Sequence, residues 1–317
     1  MSVGMGLTFA LAVHAATGDT VATLGVAAHQ LARTDGSFIS YYLNTRDPAR
    51  QAELLLLVIQ GSDCNSVAHS KAVPVLANRA LPQADVLTVE KYGIDASLPY
   101  DNSRGVDRPD CPPTYLRHDS PTQRGQDLAA VVAAVQRKHG YRQVIAIGGS
   151  EGAVVAHLLA AQSPYIAAVI AFNGGGQWFM DDLLRSVRSE PMPAVQRKQA
   201  EKGMRDFVHH IQTKEPKGLT ASDHGYSWWR DMLALDQLAL LKRISTPMLI
   251  IQSGRDTSVS PSSVQTMVAK LRMSGNRNIE YRTYPELDHR LSGPDGTDRM
   301  PEVADDMAAW LSLVLGE

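Results

Sequence analysis

The chain has 317 residues, of which 44% are hydrophobic and 20% are charged, and 31 Lys and Arg against 33 Asp and Glu give it a formal charge of -2. This near-neutral balance, with no basic stripe, argues against a nucleic-acid partner, and the even mixture of apolar and polar residues excludes a disordered chain. No apolar run approaches the roughly 18 residues that a membrane-spanning helix needs, so no transmembrane segment is predicted.

Residues 1–16 are the most ambiguous part of the sequence. They form an apolar stretch of about the length of a signal-peptide core, and it ends in small residues at Val13-His14-Ala15 that suit a signal peptidase. The stretch lacks the Lys or Arg that begins such a signal. Two interpretations therefore stay open: the remnant of an export signal, which predicts a periplasmic or secreted protein, or a disordered or surface-packed terminus of a cytoplasmic one.

Short apolar runs begin after this stretch. Two adjacent strands are predicted over residues 21–33 and 37–44, joined by a turn at Thr34-Asp35-Gly36. The runs that follow show no alternation, which is typical of strands buried on both faces of a parallel sheet. These runs cover residues 53–60, 84–90, 143–147, 167–172, 247–252 and 279–284.

Helical patterns lie between the apolar runs. Residues 123–139 place apolar side chains at spacings of three and four and end before Gly140, which suits a helix C-cap. Residues 151–162 and 301–315 show similar patterns. Strands that alternate with helices predict an α/β fold with a mostly parallel central sheet, helices on both faces, and the first two strands as an antiparallel edge.

Two segments interrupt the alternation. Residues 92–122 are rich in Pro, Asp and Ser and are too long for a simple connection between a strand and a helix. Residues 177–241 form a longer insertion with helix-prone sequences. Because no internal repeat or interdomain linker separates these parts, we expect a single domain over residues 17–317 that carries a helical lid at about 177–241.

The strongest local motif is Gly148-Gly149-Ser150-Glu151-Gly152, which follows an apolar strand and precedes a helical pattern. A nucleophilic serine on such a sharp turn needs small neighbours, because side chains two residues away would clash with the backbone. The start of the helix would add backbone N–H groups for a developing oxyanion. Taken alone the motif is weak, since a glycine-rich turn that merely starts a helix has the same sequence.

An acid and a base follow at the ends of later strands. Asp256 comes after the run 247–252, and His289 comes after the run 279–284. Both would lie at the carboxyl edge of the sheet, where open α/β sheets bind their ligands. The order Ser, Asp, His is that of hydrolases with a nucleophile elbow, so Ser150, Asp256 and His289 are predicted to form a catalytic triad.

The segment Gln60-Gly61-Ser62-Asp63 ends the first buried strand and is the candidate oxyanion loop. An oxyanion hole here would combine the backbone N–H of Glu151 with one from this loop, which we assign to Ser62. The alternative is a plain turn between a strand and a helix.

These motifs resemble the α/β-hydrolase family over residues 21–315. The run VEKYGID, the cysteine that follows it, and the motifs QRGQDL and IAIGGSEGA are similar to bacterial α/β hydrolases of the prolyl-oligopeptidase and esterase branch, many of which are exported. The resemblance implies an α/β-hydrolase fold and the same triad of Ser150, Asp256 and His289. Gln60 departs from the pattern, because the family often has His before the oxyanion glycine.

The residues predict a serine hydrolase that forms an acyl-enzyme on Ser150 and needs no metal or other cofactor. The expected substrate is a small carboxylic ester with a small or medium acyl group. A serine peptidase or aminopeptidase is the alternative that the branch resemblance favours, and a thioesterase would use the same residues. A catalytically silent binding protein on the same fold is the non-enzyme alternative. The sequence does not indicate an oligomeric state.

Several side chains are candidates for substrate contact. An acid at the position of Glu151 suits a helix N-terminus, and the sharper alternative is that its carboxylate borders the pocket and favours a positively charged substrate. The aromatic residues of the insertion would line an acyl pocket or pack the lid onto the core. The predicted substrate-binding residues are Gln60, Trp178, Trp228 and Trp229.

The chain has two cysteines, Cys64 beyond the oxyanion loop and Cys111 in the segment 92–122. Two buried free thiols are the default for so few cysteines. If the protein is exported, a disulfide between them would tie that segment to the rim of the site.

Overall fold

A mostly parallel sheet occupies the centre of the computed structural model, which describes residues 27–47, 49, 52–101 and 108–316. Its strands are β1 (Ala28–Ala32), β2 (Phe38–Asn44), β3 (Leu54–Ile59), β4 (Asp85–Val89), β5 (Gln143–Gly149), β6 (Ile166–Phe172), β9 (Met248–Ser253) and β10 (Ile279–Tyr284), while the two-residue strands β7 (Thr220–Ala221) and β8 (His224–Gly225) pair with each other elsewhere. The order across the sheet is β1-β2-β4-β3-β5-β6-β9-β10. The pairs β1–β2 and β2–β4 are antiparallel, and the other pairs in this sheet are parallel.

Ten α-helices accompany the strands in the described part of the chain. They are α1 (Ala72–Arg79), α2 (Pro113–His118), α3 (Pro121–His139), α4 (Glu151–Gln162), α5 (Phe179–Ser189), α6 (Ala194–Lys214), α7 (Tyr226–Ala234), α8 (Gln237–Leu241), α9 (Pro261–Met273) and α10 (Met300–Leu315). Helices α5 to α8 follow one another between β6 and β9, so the segment predicted to be helix-prone is a helical insertion. Its action as a lid stays a prediction.

The central strands of the sheet are buried on both faces, and β3 carries an apolar side chain at every position. On β3, Leu55 and Leu57 belong to the core formed with α3, α4, α9 and the insertion, whereas Leu54 and Leu56 belong to the core formed with α1 and α10. Removing such side chains from water stabilises the fold by about 1.5–3 kcal/mol each. Because successive side chains of β3 point alternately into these two cores, no position of the strand is polar.

Helix α3 is positioned so that its first turn lies at the carboxyl edge of the sheet, since it runs back toward the start of β5. The hydroxyl of Ser120 accepts a hydrogen bond from the backbone N–H of Gln123 at 3.3 Å, and Pro121 occupies the first turn, where its missing N–H costs nothing. The helix ends at Gly140, whose φ of 69° is the left-handed cap that glycine favours. This geometry brings the beginning of α3 next to the loop after β3.

The predicted α/β fold with its antiparallel edge is confirmed. Each of the eight predicted strands is present, and β10 has the predicted bounds, whereas β5 extends two residues beyond the predicted run to Gly149. Residues 21–26 of the first predicted strand and the stretch 1–16 lie outside the described residues. Within those residues, no helix is both long and apolar enough to cross a membrane.

The contact between α4 and β3 predicts that replacing two helical glycines by alanine has opposite effects on the free energy of unfolding. A methyl group on Gly152, in the first turn of α4, would lie 2.9 Å from the carbonyl oxygen of Gln60 and closer still to that of Ile59, whereas one on Gly203 in α6 would meet no atom within 4 Å. We expect Gly152→Ala to destabilise the protein by about 1–3 kcal/mol through overpacking. Gly203→Ala should stabilise it by about 0.5–1 kcal/mol, because alanine favours the helix.

Urea unfolding of both variants and the wild type measures these changes. A Gly152→Ala variant as stable as Gly203→Ala would contradict the close packing of α4 on β3.

Candidate active site

Ser150 occupies the sharp turn between β5 and α4. Its φ of 54° and ψ of -128° lie in a region that residues with side chains rarely adopt, at a cost of about 1–3 kcal/mol. The turn is held by the N–H of Ser150, which donates to the carbonyl of Phe172 on β6 at 2.9 Å. A methyl group on Gly148 would overlap the backbone of Gly152, so the glycines of the motif let the turn form.

The structure brings Ser150, His289 and Asp256 together. The Nε2 atom of His289 lies 3.1 Å from the hydroxyl oxygen of Ser150, and its Nδ1 atom lies 2.8 Å from Oδ2 of Asp256. The side chain of His289 is 23% exposed and that of Asp256 is fully buried. The three side chains thus form a continuous hydrogen-bonded chain from a buried acid to a partly exposed hydroxyl.

Asp256 is held in place by hydrogen bonds from three neighbouring groups. Its Oδ1 atom accepts from the backbone N–H groups of Ser258 at 2.8 Å and Val259 at 2.9 Å, and its Oδ2 atom accepts from the side chain of Gln252 at 3.3 Å. Hydrogen bonds of this kind stabilise a carboxylate in a buried position. The remaining lone pair of Oδ2 faces His289, so the acid can hold the imidazole in one orientation.

Asn173 ties the loop of His289 to the sheet, a role that sequence reasoning did not find. Its side chain donates to the backbone carbonyl of His289 at 3.0 Å and accepts from the N–H of Ser253 at 2.8 Å. The residue has a φ of 51° and is fully buried at the end of β6. Asparagine tolerates this backbone conformation better than most residues, which was the available signal.

Helix α5 of the insertion supports the loop that carries Asp256. The guanidinium of Arg185 donates to the backbone carbonyl of Asp256 at 3.1 and 3.2 Å. Asp182 accepts from the N–H of Ser260 at 2.8 Å, and burial raises the pKa of this carboxyl to about 7. Sequence reasoning did not predict either contact, because each joins segments more than seventy residues apart.

The predicted oxyanion loop lies directly beside Ser150. A methyl group on Gly61 would lie 3.4 Å from Cβ of Ser150 and 4.0 Å from its hydroxyl oxygen, so a substrate carbonyl can approach this backbone closely. The side chain of Gln60 points back into the loop and donates to Oδ1 of Asp63 at 2.6 Å and to the carbonyl of Asn65 at 2.9 Å. Gln60 therefore shapes the loop from within, and a substrate contact through its side chain stays a prediction.

The carboxylate of Glu151 is buried next to the turn that carries Ser150. It accepts from Arg124 at 2.7 Å and from the indole N–H of Trp228 at 2.9 Å. Burial alone would raise the pKa of Glu151, but the guanidinium of Arg124 and the ammonium of Lys91 outweigh it and the pKa is lowered. These contacts favour the structural role of an acid at a helix N-terminus, because the charge of Glu151 is already paired within the protein; selection of a positively charged substrate stays an untested alternative.

The three tryptophans of the insertion occupy different environments. Trp228 stacks on His224 with ring centroids 3.7 Å apart, and Trp229 packs edge-on against Phe207 at 5.0 Å. Both indoles are 5% exposed, so their faces are taken up by packing within the protein, whereas Trp178 is 41% exposed. Of the three, Trp178 is the one with free surface to offer a substrate.

A disulfide bond joins Cys64 to Cys111, with Cα atoms 5.9 Å apart, so the two thiols are not free. Beside it, the guanidinium of Arg108 donates to the carbonyl of Cys64 at 2.7 Å and to the side chain of Asn65 at 2.7 Å. The ammonium of Lys91 donates to the carbonyl of Asp63. The segment 92–122, of which residues 102–107 lie outside the description, is thereby attached to the end of the oxyanion loop.

Asp119 is a buried carboxyl whose two oxygens find no hydrogen-bond partner among the described residues. Burial raises its pKa to about 7, and the nearby carboxylate of Glu151 adds to this rise, whereas Arg124 and Lys91 oppose it. The cluster already pairs Arg124 with Glu151, and Lys91 with Asp63. A further negative charge at Asp119 is therefore in excess.

This excess predicts that stability falls as pH rises between about 4 and about 7. Over that range the folded protein keeps the proton on Asp119 that the unfolded chain releases, so ionisation favours unfolding. Asn stays neutral in both states, and we expect Asp119→Asn to melt at a higher temperature than the wild type, by a margin that grows from pH 5 to pH 8 and reaches about 3 °C or more at pH 8.

Asp127→Asn is the matched control, because Asp127 is also buried, on the helix α3 that begins two residues after Asp119, but is paired with Arg33 at 2.6 Å. This variant should melt at a lower temperature than the wild type at pH 8. If the melting temperatures of Asp119→Asn and the wild type differ by the same amount at pH 5 and at pH 8, the assignment of a raised pKa to Asp119 is refuted.

Comparison with known protein families gives one match. A sequence model of the Hydrolase_4 family, described as serine aminopeptidase, S33, matches residues 111–293 of the chain. No curated protein sequence matches this chain.

Solved structures share the fold at low sequence identity. Est1E from Butyrivibrio proteoclasticus aligns with a TM-score of 0.61 and 14% identity over 92% of this chain and 99% of its own. An esterase from Pyrococcus furiosus aligns with a TM-score of 0.57 and 13% identity over 92% of this chain and 91% of its own. An acylaminoacyl peptidase from Pyrococcus horikoshii aligns with a TM-score of 0.60 and 12% identity over 92% of this chain and 41% of its own.

At these identities the solved structures carry the fold alone, whereas the family match covers more than half of the chain. Both agree with the resemblance seen in the sequence. The chain belongs to the Hydrolase_4 family of α/β hydrolases, described as serine aminopeptidase, S33.

Proposed function

We propose that the chain is a serine hydrolase that cleaves carboxylic esters through an acyl-enzyme on Ser150. The observation that carries this proposal is the hydrogen-bonded chain from Asp256 through His289 to Ser150, with distances of 2.8 and 3.1 Å. In the first step, Nε2 of His289 takes the hydroxyl proton as Oγ of Ser150 bonds to the ester carbonyl carbon. The carboxylate of Asp256 stabilises the imidazolium that forms.

The tetrahedral intermediate then loses its alcohol. His289 returns the proton to the leaving oxygen, the carbon–oxygen bond breaks, and the acyl group stays on Ser150. Water repeats the sequence, giving its proton to His289 and bonding to the acyl carbon, after which the acid leaves and Ser150 regains its proton. Each of the two tetrahedral intermediates carries a negative oxygen, for which we assign the backbone N–H groups of Ser62 and Glu151 as donors.

An ester is favoured over a peptide by the environment of Glu151. An aminopeptidase binds the protonated amino group of its substrate, and a carboxylate next to the nucleophile is a candidate to pair with that group. Here the acid is Glu151, which is 4% exposed and whose carboxylate already accepts hydrogen bonds from Arg124 and Trp228. The alignments with the two esterases also extend over 99% and 91% of their own lengths, against 41% for the peptidase.

A serine aminopeptidase is the second candidate, and the printed description of the matching family is the observation that favours it. A thioesterase would use the same three residues and differ in its leaving group. Non-catalytic binding is a further alternative.

Labelling with a fluorophosphonate probe tests the nucleophile. We expect the wild type to be labelled and Ser150→Ala to be unlabelled, with ester turnover reduced by at least about 10⁴-fold, because the covalent step is lost. Ser62→Ala is the matched control: its hydroxyl is absent from the proposed mechanism and its backbone N–H remains, so this variant should keep its labelling. Equal labelling of the wild type and Ser150→Ala, or none of either, would remove the assignment.

A paired panel of acyl esters and aminoacyl anilides separates the first two candidates. We expect kcat/KM for esters of small and medium acids to exceed that for anilides with the same acyl group by about 10²-fold or more, a difference of about 2.7 kcal/mol in transition-state stabilisation. Faster cleavage of anilides with a free amino terminus would support the aminopeptidase instead.

A further inference from the structure

The two assigned oxyanion donors lie on segments that the sheet does not hold together. The parallel pairing of β3 with β5 ends at Ile59 and Gly148. Beyond that pair, the chain after β3 continues to Ser62, and the chain after β5 turns into α4 at Glu151. Their relative position must therefore be fixed by contacts outside the ladder, and a misplacement of about 1 Å is enough to weaken stabilisation of a transition state.

Arg124 makes such a contact with both segments at once. One nitrogen of its guanidinium, Nη2, donates to the backbone carbonyl of Gln60 at 2.6 Å, and the other, Nη1, donates to Oε1 of Glu151 at 2.7 Å. The side chain is 6% exposed and that of Glu151 is 2% exposed. The buried guanidinium of Arg124 thus links Gln60 to Glu151. Gln60 lies two positions before one assigned donor, and Glu151 carries the other.

We propose that Arg124 is a positioning residue that sets the distance between the two N–H groups of the oxyanion hole. This inference rests on the proposed function, since it concerns the same intermediate. A guanidinium is planar and has its donors at fixed angles, so it holds two acceptors in one geometry, whereas the ammonium of Lys is a point charge on a flexible stem. The second oxygen of Glu151 accepts from Trp228, which leaves the carboxylate little freedom to turn away from Arg124.

The position of Arg124 in its helix is unfavourable on local grounds. It lies in the first turn of α3, where the helix dipole disfavours a cation. Its contacts with Gln60 and Glu151 offset this cost. A buried ion pair also contributes little net stability compared with apolar side chains of the same volume, so the geometry that it imposes is the property to test.

Steady-state kinetics on an activated ester tests the inference, with Arg124→Lys compared with Arg33→Lys. Arg33 is the matched control, because it forms a largely buried ion pair with Asp127, one turn further along α3 than Arg124, and has no hydrogen bond to either donor segment. We expect Arg124→Lys to lower kcat by about 10- to 100-fold with KM changed by less than about twofold, since the oxyanion forms only after binding. Arg33→Lys should keep both constants within about twofold of the wild type.

An alkyl boronic acid supplies the readout that a merely structural role would not move. Oγ of Ser150 bonds to boron as its proton passes to His289, and the tetrahedral boronate anion presents one of its oxygens to the same donors. The affinity for the boronic acid should therefore fall in Arg124→Lys by the same factor as kcat. If Arg124→Lys does not fold, the double variant Arg124→Met with Glu151→Met takes its place, because apolar replacement of a buried pair is often neutral for stability. The double variant should show the same fall in kcat and in boronate affinity.

Three results would overturn the inference while leaving the proposed function intact. They are a kcat of Arg124→Lys within twofold of that of Arg33→Lys, a rise in KM at constant kcat, and unchanged boronate affinity despite a lower kcat. A wild type that neither turns over esters nor labels at Ser150 would overturn the proposed function and this inference with it.

Discussion

The close contact between the first turn of α4 and the end of β3 is the constraint on which the candidate site depends. Gly148 and Gly152 make it possible, since a methyl group at either position would overlap backbone atoms. The contact brings Gly61 next to Ser150, so the candidate oxyanion loop lies beside the proposed nucleophile. The positive φ of Ser150 is unfavourable in isolation and persists because β5 is paired on both sides, with β3 and with β6.

The same contact determines the electrostatics beneath the site. Glu151 is the first residue of α4, directly after Ser150, and its carboxylate is buried there with Arg124 as its partner. The buried ammonium of Lys91 pairs with the more exposed carboxylate of Asp63 at the end of the loop, which leaves Asp119 without a counter-charge of its own. A buried cluster with paired charges resists rearrangement, because separating any pair would leave an uncompensated charge in a medium of low dielectric. Rigidity of the oxyanion loop is the physical consequence.

The sequence predicted what depends on local patterns and on the ends of strands. Apolar runs gave all eight strands of the sheet, and the order of Ser150, Asp256 and His289 at strand ends predicted a grouping that the structure also has. Contacts between distant segments could not be predicted, because no periodicity reports them: Asn173 with the loop of His289 is one such contact, and Arg124 with Gln60 is another. The motif QRGQDL did carry a signal for the second, since its arginine falls in a first helical turn, where a cation needs a particular reason to lie.

The contacts of the insertion limit how it can act as a lid. Through Arg185 and Asp182, α5 supports the loop of Asp256, and through Trp228, α7 contacts the carboxylate next to the nucleophile. Movement of either helix away from the sheet would break hydrogen bonds to the groups proposed for catalysis. Helix α6 packs mainly on α5 and α7, with a largely exposed outer face. If the insertion opens for substrate, the movement is therefore best borne by α6, while α5 and α7 stay fixed as part of the support of the site.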